Sequence, residues 1–224
     1  MDLKSGSAPS SAWAEAYTFL RERIRSGHFK SGERIKAEDI AAQLGISRMP
    51  VREAIRQLDS EGLLTIRANR GAVVTVLKPD EILELFEMRS VLEGVAIKRA
   101  IKRFDDDAFT TLEMHLVRLG RAQADPDLWI DRHNEFHDFI CAQSGANRLF
   151  TEVRQLRTAV EPYLRMVLGI MQSGDAVADH QKLIDVIRKG DPDVAEAVIR
   201  EHVLSTAYDL IRAMPFEDQG QDQG

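Results

Sequence analysis

The segment from residue 38 to residue 58 constrains the fold of this chain more than any other. It holds two short amphipathic stretches separated by Gly45 and Ile46, a pattern typical of two helices joined by a tight turn. Ser47 precedes the second stretch, where its hydroxyl can accept a first-turn amide. Pro50 is tolerated because amides of the first turn have no intrahelical partner. The sequence therefore predicts a helix-turn-helix.

The second of these helices is predicted to have two unlike faces. Its apolar residues recur at helical spacing: Val51, Ala54, Ile55 and Leu58. Arg48, Met49 and Arg52 lie largely off that stripe, on the outer side of the N-terminal half. Such a helix fits the DNA major groove, where arginine binds guanine edges or phosphates. The alternative is an ordinary surface helix, whose charges only keep it solvated.

A predicted β-hairpin follows the helix-turn-helix directly. Residues 63–67 and 72–77 read as its strands, and Gly71 supplies the positive φ that the turn requires. A helix-turn-helix followed by a hairpin is a winged helix, with basic side chains at the tip of the wing. The candidate DNA-binding residues are Ser47, Arg48, Met49, Arg52, Arg67, Arg70 and Gly71.

Three motifs in this region, at residues 46–55, 58–64 and 69–74, carry a family resemblance. The first reads I-S-R-M-P-V-R-E-A-I and is similar to the V-S-R-T-P-V-R-E-A-L pattern of the GntR superfamily of bacterial transcription regulators. The resemblance implies double-stranded DNA as a partner. Met49 stands where the family usually has threonine, which bears on the preferred operator and not on binding itself.

Charge divides the chain into two parts. Residues 1–77 hold 12 Lys and Arg against 9 Asp and Glu, a net charge of +3, whereas residues 78–224 hold 18 against 27, a net charge of −9. An acidic second part repels DNA, so the first part is expected to be the DNA-facing surface.

The single cysteine, Cys141, excludes an internal disulfide framework and is expected to be a small buried residue. Without a signal peptide or an apolar run of about 18 residues, we expect a cytoplasmic protein with no membrane partner.

Beyond residue 78 the periodicity is helical throughout. The expected helices are 80–103, 106–123, 127–143, 147–171, 175–189 and 192–213. Gly190 ends one of them, Asp191 caps the next and Pro192 occupies its first position. The predicted fold is mostly α, an N-terminal winged helix-turn-helix plus a C-terminal antiparallel bundle of six to seven helices. The expected divisions are a disordered lead (1–10), the DNA-binding domain (11–77), the helical domain (78–214) and a flexible tail (215–224).

Four histidines are predicted to face the interior of this bundle. His133 and His137 share the apolar stripe of their helix, and His180 and His202 each lie on the apolar face of another helix. A lone inward histidine is most often a hydrogen-bonded core residue. Four together favour a divalent metal, because burying ring nitrogens without partners costs about 1–3 kcal/mol each. Imidazole ligands suit zinc or nickel.

The second part also resembles a known domain. The motif around residues 135–137, and residues 180–191 running on to His202, are similar to the FCD-type effector domain of the FadR branch. The resemblance implies a metal held by His137, His180 and His202, with an aspartate or asparagine at the position that His133 occupies here. Asp131 differs from His137 by about 120° in helical phase and is not expected to take that role.

Arg89 and Glu93 interrupt an apolar helix face at i, i+4 spacing. They could form a structural ion pair, or Arg89 could clamp the carboxylate of an effector, since its planar fork suits that group. The family's R-x-x-x-E pattern implies that these two residues are effector-binding.

The resemblance implies a homodimeric repressor on a palindromic operator, controlled by a small organic acid or sugar acid bound at the metal, and the residue patterns support the parts of this picture. One alternative is a metal-dependent hydrolase carried on a DNA-binding module, although no H-E-x-x-H spacing is present. A second alternative is a regulator whose metal is purely structural.

Overall fold

The computed structural model describes residues 12–67, 71–168 and 176–214. It forms two compact units, Met1–Val76 and Leu77–Gly224, each with its own hydrophobic core. The predicted lead and tail, the wing tip with Arg70, and the predicted end of one helix at residue 171 lie outside the described residues.

The first unit is a winged helix-turn-helix. Its helices are α1 (Ala12–Arg25), α2 (Ala37–Leu44) and α3 (Arg48–Ser60), and its strands are β1 (Arg34–Ile35), β2 (Leu64–Arg67) and β3 (Gly71–Val74). The strands form an antiparallel sheet in the order β1-β3-β2, and Arg67 lies opposite Gly71 where the hairpin closes. Strand β1 was not predicted, since two residues give no alternation to detect.

In the turn between α2 and α3, Gly45 ends the first helix as predicted, but the side chain of Ser47 does not cap the second. Gly45 ends α2 with a φ of +65°, a conformation that glycine adopts without a steric penalty. Ser47 stands at the N-cap of α3 with extended backbone angles, but its side chain makes no capping hydrogen bond. The prediction that its hydroxyl caps the helix was therefore wrong. Ser47 is exposed, so the hydroxyl faces solvent instead.

The apolar stripe of α3 is buried in the core of the first unit. Val51, Ala54 and Leu58 have no exposed surface, and they pack with the buried face of α1. The wing is tied to the end of α3 because the carboxylate of Asp59 accepts a hydrogen bond of 2.8 Å from the amide of Ile66. This contact fixes the wing relative to the helix that carries the candidate DNA-binding arginines.

The second unit is all-helical over its described residues. It contains α4 (Pro79–Ala100), α5 (Asp106–Arg121), α6 (Pro126–Gln143), α7 (Asn147–Val167), α8 (Ala176–Lys189) and α9 (Pro192–Ala213). Helix α4 ends three residues earlier than predicted, because Ile101–Arg103 tighten into a 3-10 turn. The fold class predicted from the sequence, a winged helix-turn-helix plus a helical bundle, is confirmed.

Helix α4 packs against α6, α7 and α9 and brings its buried polar residues next to α6 and α7. Gly94 allows α9 to approach closely, since a Cβ atom there would lie 3.1 Å from Cγ of Glu196 and 3.2 Å from Cδ of Arg200. Ile82 and Phe86 of α4 are completely buried in the main core. None of the helices that the structure describes is both long enough and apolar enough to cross a bilayer.

Candidate metal centre and candidate nucleic-acid interface

Four histidines from three helices meet inside the second unit. Helix α6 supplies His133 and His137 from adjacent turns, α8 supplies His180 and α9 supplies His202. One ring nitrogen from each lies within 4.8 Å of the other three. The first three residues are buried and His202 is half-buried. The structure therefore brings together all four histidines that were predicted to face the interior.

A hydrogen bond orients the imidazole of His180, and a carboxylate faces the outer nitrogen of His137. Nδ1 of His180 lies 2.6 Å from the carbonyl oxygen of Ala176, so Nδ1 carries the proton and donates it. Nδ1 of His137 lies 3.5 Å from Oε2 of Glu93, a long and poorly aligned approach to a carboxylate. His180 therefore presents an unprotonated Nε2 to the centre of the cluster, and His137 does so in the tautomer that places its proton on Nδ1, towards Glu93.

The inner nitrogens of the cluster are close together. Nε2 of His137 lies 3.3 Å from Nε2 of His180 and 3.3 Å from Nε2 of His202. With Nδ1 protonated in His137 and His180, their Nε2 atoms face each other lone pair to lone pair, an arrangement that a cation satisfies. Ligands of a tetrahedral zinc ion with Zn–N distances of about 2.0–2.1 Å lie about 3.3–3.4 Å apart. The donor set therefore fits a divalent metal ion.

Burial keeps these histidines in the neutral form that binds metals. It lowers the pKa of His133 and of His180 well below the ordinary value, and it lowers the pKa of His202 to about 3. Burial also lowers the pKa of His137, although the nearby carboxylate of Glu93 opposes that effect. The four rings are therefore uncharged at neutral pH, as ligation requires.

A buried ionic network lies beside His137. Arg89 donates to Oε1 of Glu93 from Nε at 3.2 Å and from Nη2 at 3.1 Å, and Nη2 of Arg157 donates to the same oxygen at 3.3 Å. Burial alone would raise the pKa of Glu93, but the charges of Arg157 and Arg89 hold it well below the ordinary range. Arg157 also bonds to Asp138. Glu93 is thus an ionised carboxylate that links two arginines to a candidate ligand.

Arg157 was missed in the sequence analysis, although a signal was present. It lies in α7 between the buried residues Val153 and Val160, at the same i, i+4 and i, i+3 spacing that singled out Arg89. Asp131, in contrast, is exposed and pairs with Arg165 at 2.9 Å, in keeping with its exclusion as a ligand.

A small cavity opens on the other side of the histidines. Its volume is about 100 Å³, and its walls carry imidazoles, an indole, hydroxyls and two carboxylates. They are formed by Trp129, His133, Leu164, Leu168, Ala176, Asp179, His180, His202, Ser205, Thr206 and Asp209. Arg89 and Glu93 are not part of these walls. Arg89 is instead directed at Glu93 and over the ring of Phe86, 4.7 Å from its centroid.

The first unit carries a basic concave surface of about 370 Å³. Its lining runs from β1 and the start of α2 to α3 and the wing, and it includes five cations and one acid: Arg34, Lys36, Arg48, Arg52, Arg56 and Glu38. Arg48, Met49 and Arg52 are exposed, as are Arg67 and Gly71 on the wing. Arg48 is held 3.4 Å from Glu38 by a solvent-exposed ion pair, which is weak and can exchange for a phosphate.

Comparison with known proteins agrees with this two-part organisation. Residues 13–74 match the family model "Bacterial regulatory proteins, gntR family", and residues 84–205 match the FCD domain. The chain is 27% identical over 211 residues to the HTH-type transcriptional repressor GlaR of Escherichia coli, covering 89% of this chain and 96% of that protein. It is 28% identical over 186 residues to a probable D-xylose utilization operon transcriptional repressor of Paenarthrobacter nicotinovorans, covering 83% and 82%. The solved structure of E. coli McbR/YncC has the same fold, with a TM-score of 0.75 at 22% identity, covering 89% of this chain and 98% of that one.

Proposed function

Because the chain belongs to the GntR family and carries an FCD domain, we propose that it is a cytoplasmic repressor whose operator affinity is set by a small acid bound at a four-histidine metal centre. Members of this family are transcription regulators and not enzymes, which argues against the alternative of a metal-dependent hydrolase. The chain itself is a transcription regulator. Its effector, its metal and its oligomeric state are the proposed part.

The single observation that carries the metal proposal is the approach of unprotonated nitrogens in a buried cluster. The Nε2 atoms of His137 and His180 lie 3.3 Å apart, and the proton of His180 is held on Nδ1 by the carbonyl of Ala176. With the proton of His137 on Nδ1, towards Glu93, both Nε2 lone pairs are unsatisfied. A divalent ion such as zinc or nickel satisfies them together and supplies a Lewis-acidic positive centre. His133, His137, His180 and His202 are the proposed ligands.

The charge of the proposed metal ion favours an anionic effector. Four neutral imidazoles leave the charge of a divalent ion uncompensated, since the charges of Arg89 and Arg157 are balanced by those of Glu93 and the half-buried Asp138. Within the described residues Nη1 of Arg89 has no hydrogen-bond partner, so one donor stays available to a carboxylate. Arg89 is therefore kept as a proposed effector-binding residue although it lies outside the walls of the cavity, and Glu93 is proposed to act with it by holding its guanidinium in place.

The cavity favours a small acid that carries hydroxyl groups. A volume of about 100 Å³ is below that of typical drug-sized sites. Asp179 and Asp209 can accept hydrogen bonds from hydroxyl groups, and Trp129 offers an apolar wall. A small sugar acid or hydroxy acid fits this volume and can donate hydroxyl hydrogen bonds to the two aspartates, with its carboxylate towards the metal.

In the proposed mode of action, a homodimer sets two winged helices on successive turns of a palindromic operator, about 34 Å apart. Ser47, Arg48, Met49, Arg52, Arg67, Arg70 and Gly71 are the proposed DNA contacts. The effector binds one dimer geometry better than another and so changes the fraction that matches the half-site spacing.

The test is a thermal-shift screen of metal-stripped and metal-reloaded protein against small carboxylic and sugar acids. A ligand of the native state at about 100 times its Kd adds roughly 2.7 kcal/mol, a visible shift. The shift should require added zinc or nickel, disappear in His180→Ala and persist in His115→Ala, a control histidine of the same unit outside the cluster. The hits should then change operator affinity in a gel-shift assay.

Two results would reject parts of this proposal. If metal alone raises Tm and no acid adds to it, the metal is structural. If His180→Ala binds zinc as tightly as the unmodified chain, the four histidines are not the ligands.

A further inference from the structure

A carboxylate lies among the cations of the basic concave surface of the first unit. Of the charged residues in the described part of this lining, Glu38 is acidic and five are basic: Arg34, Lys36, Arg48, Arg52 and Arg56. DNA is a polyanion, so a carboxylate on a surface that faces phosphates weakens binding to every sequence alike. Glu38 therefore has a cost for affinity, and its role in DNA binding must be a different one.

The position of Glu38 in its helix does not account for this carboxylate. Glu38 lies in the first turn of α2, where the helix dipole favours a negative charge. Asp39 lies in the same turn, is exposed as well and is not part of the lining of the concave surface. Because Asp39 already supplies an acid to this helix end, the dipole does not require a second one on the basic surface.

An ion pair connects Glu38 to the beginning of α3. Oε1 of Glu38 lies 3.4 Å from Nη1 of Arg48, the first residue of α3, and both side chains are more than half exposed. The N-terminal end of a recognition helix is the part that contacts base edges in the major groove. A single long contact occupies only one of the five donors of the guanidinium, so both groups can still bind a base.

The two side chains of this ion pair are complementary to one kind of base pair. In the major groove a C·G pair presents the N4 amino donor of cytosine beside two acceptors, O6 and N7 of guanine. A carboxylate only accepts and a guanidinium only donates, which is the matching pattern. Thymine offers an oxygen acceptor and a methyl group where cytosine offers its amino group, so a carboxylate is repelled there.

We propose that Glu38 determines operator specificity by accepting a hydrogen bond from N4 of a cytosine in each half-site, while Arg48 donates to the adjacent guanine edge. This inference rests on the operator binding of the proposed function and names a base pair that the operator contains. Glu38 then weakens binding to DNA in general and disfavours half-sites that lack this cytosine.

Selection of duplexes from a random-sequence library by the full chain, followed by fluorescence anisotropy, tests the proposal. The unmodified chain should select a C·G pair at one position of each half-site. Glu38→Gln should reduce the preference for cytosine at that position by about fivefold or more, and it should bind random-sequence duplex more tightly because a negative charge is lost. Circular dichroism checks that the variant is folded.

Asp39→Asn is the matched control for the loss of charge. It removes one carboxylate from the same helix turn, away from the concave surface. It should keep the full preference for cytosine, whatever it does to binding of random-sequence duplex. An equal loss of cytosine preference in Glu38→Gln and Asp39→Asn overturns the proposal, since the effect then comes from charge alone.

A modified base tests the contact without changing the protein. N4-methylcytosine at the selected position keeps its pairing with guanine and replaces the free amino hydrogen with a methyl group. It should weaken binding of the unmodified chain and leave the affinity of Glu38→Ala unchanged, because that variant lacks both the acceptor and the bulk of the side chain. An equal loss in the two proteins rejects the hydrogen bond to N4.

A double variant separates reading of cytosine from mere positioning of Arg48. In an Arg48→Ala background, adding Glu38→Gln should still lower the affinity ratio between the selected duplex and the same duplex with thymine in place of the cytosine. Both affinities are measured at low salt, where weak complexes remain measurable. If Glu38→Gln has no effect in that background, Glu38 only holds Arg48 in place and the proposal is rejected.

Failure of this inference differs from failure of the proposed function. A chain that selects a defined sequence, with a preference that Glu38→Gln leaves intact, overturns the role of Glu38 and keeps the repressor. A chain that selects no sequence from the library rejects operator binding, and the role of Glu38 with it.

Discussion

Replacing Glu93 by glutamine is expected to destabilise the second unit and to weaken its metal binding. The side chain keeps its size but loses the charge that compensates Arg89 and Arg157. Arg157 retains Asp138, whereas Arg89 loses its only charged partner among the described residues. Removing one member of a buried ion pair costs about 3–5 kcal/mol, and the partial compensation by Asp138 favours the lower figure.

About 3 kcal/mol corresponds to a fall in Tm of roughly 6–12 °C for a unit of this size. The effect on the metal follows from His137, whose Nδ1 faces Glu93 at 3.5 Å. Loss of a carboxylate behind a histidine ligand typically reduces metal affinity about 10–100-fold. Calorimetry of metal-free protein measures the first effect, and zinc competition with a chromophoric chelator measures the second.

The matched control is Glu152→Gln, an exposed carboxylate on α7 for which we expect a change within about 0.5 kcal/mol. If Glu93→Gln melts within 2 °C or so of the unmodified protein, the network does not depend on an ionised carboxylate. A large fall in Tm with unchanged zinc affinity would show that Glu93 stabilises the bundle without orienting His137.

Three further predictions concern other parts of the chain. Arg52→Ala should weaken operator binding. If Arg52 contacts one phosphate, the slope of the logarithm of the association constant against the logarithm of the salt concentration should become shallower by about 0.9. Fluorescence anisotropy measures both, and Arg118→Ala on the second unit is the control that should leave them unchanged. Burial raises the pKa of Cys141 to about 12, so at pH 8 almost no thiolate is present and Ellman's reagent should react only after denaturation. Immediate reaction of the native protein would contradict this. Asp191→Ala removes the acceptor for the first amides of α9 and should cost about 1 kcal/mol in urea denaturation, whereas Asp191→Asn retains most of the stability.

Helix ends and helix faces could be predicted because their causes are local. Gly190 adopts a φ of +76°, and the side chain of Asp191 accepts from the amides of Asp193 and Val194, as the Gly-Asp-Pro sequence indicates. The stripe of α3 is buried for the same reason, since residues three and four apart share a face of any helix. Ser47 is the exception, because a capping bond depends on the rotamer that the surroundings allow.

The ionic network could be predicted only in part. Arg89 and Glu93 lie on one helix at i, i+4 spacing, so their pairing follows from the sequence. Arg157 is 64 residues away from Glu93 along the chain, and its contact depends on how α7 packs against α4. The same packing decides that Arg89 bonds to Glu93 behind His137 and lies outside the walls of the cavity.

By itself, the sequence determined that this chain has a winged helix-turn-helix and a helical bundle, and that four histidines face the interior of the bundle. Both conclusions come from a period of 3.6 residues and from short motifs, which are properties of neighbouring residues. Only the tertiary structure decided that the four imidazoles converge within 4.8 Å and that two arginines share one carboxylate. Periodicity fixes the direction of a side chain about its own helix axis, whereas distances between helices are set by the packing of whole helix faces.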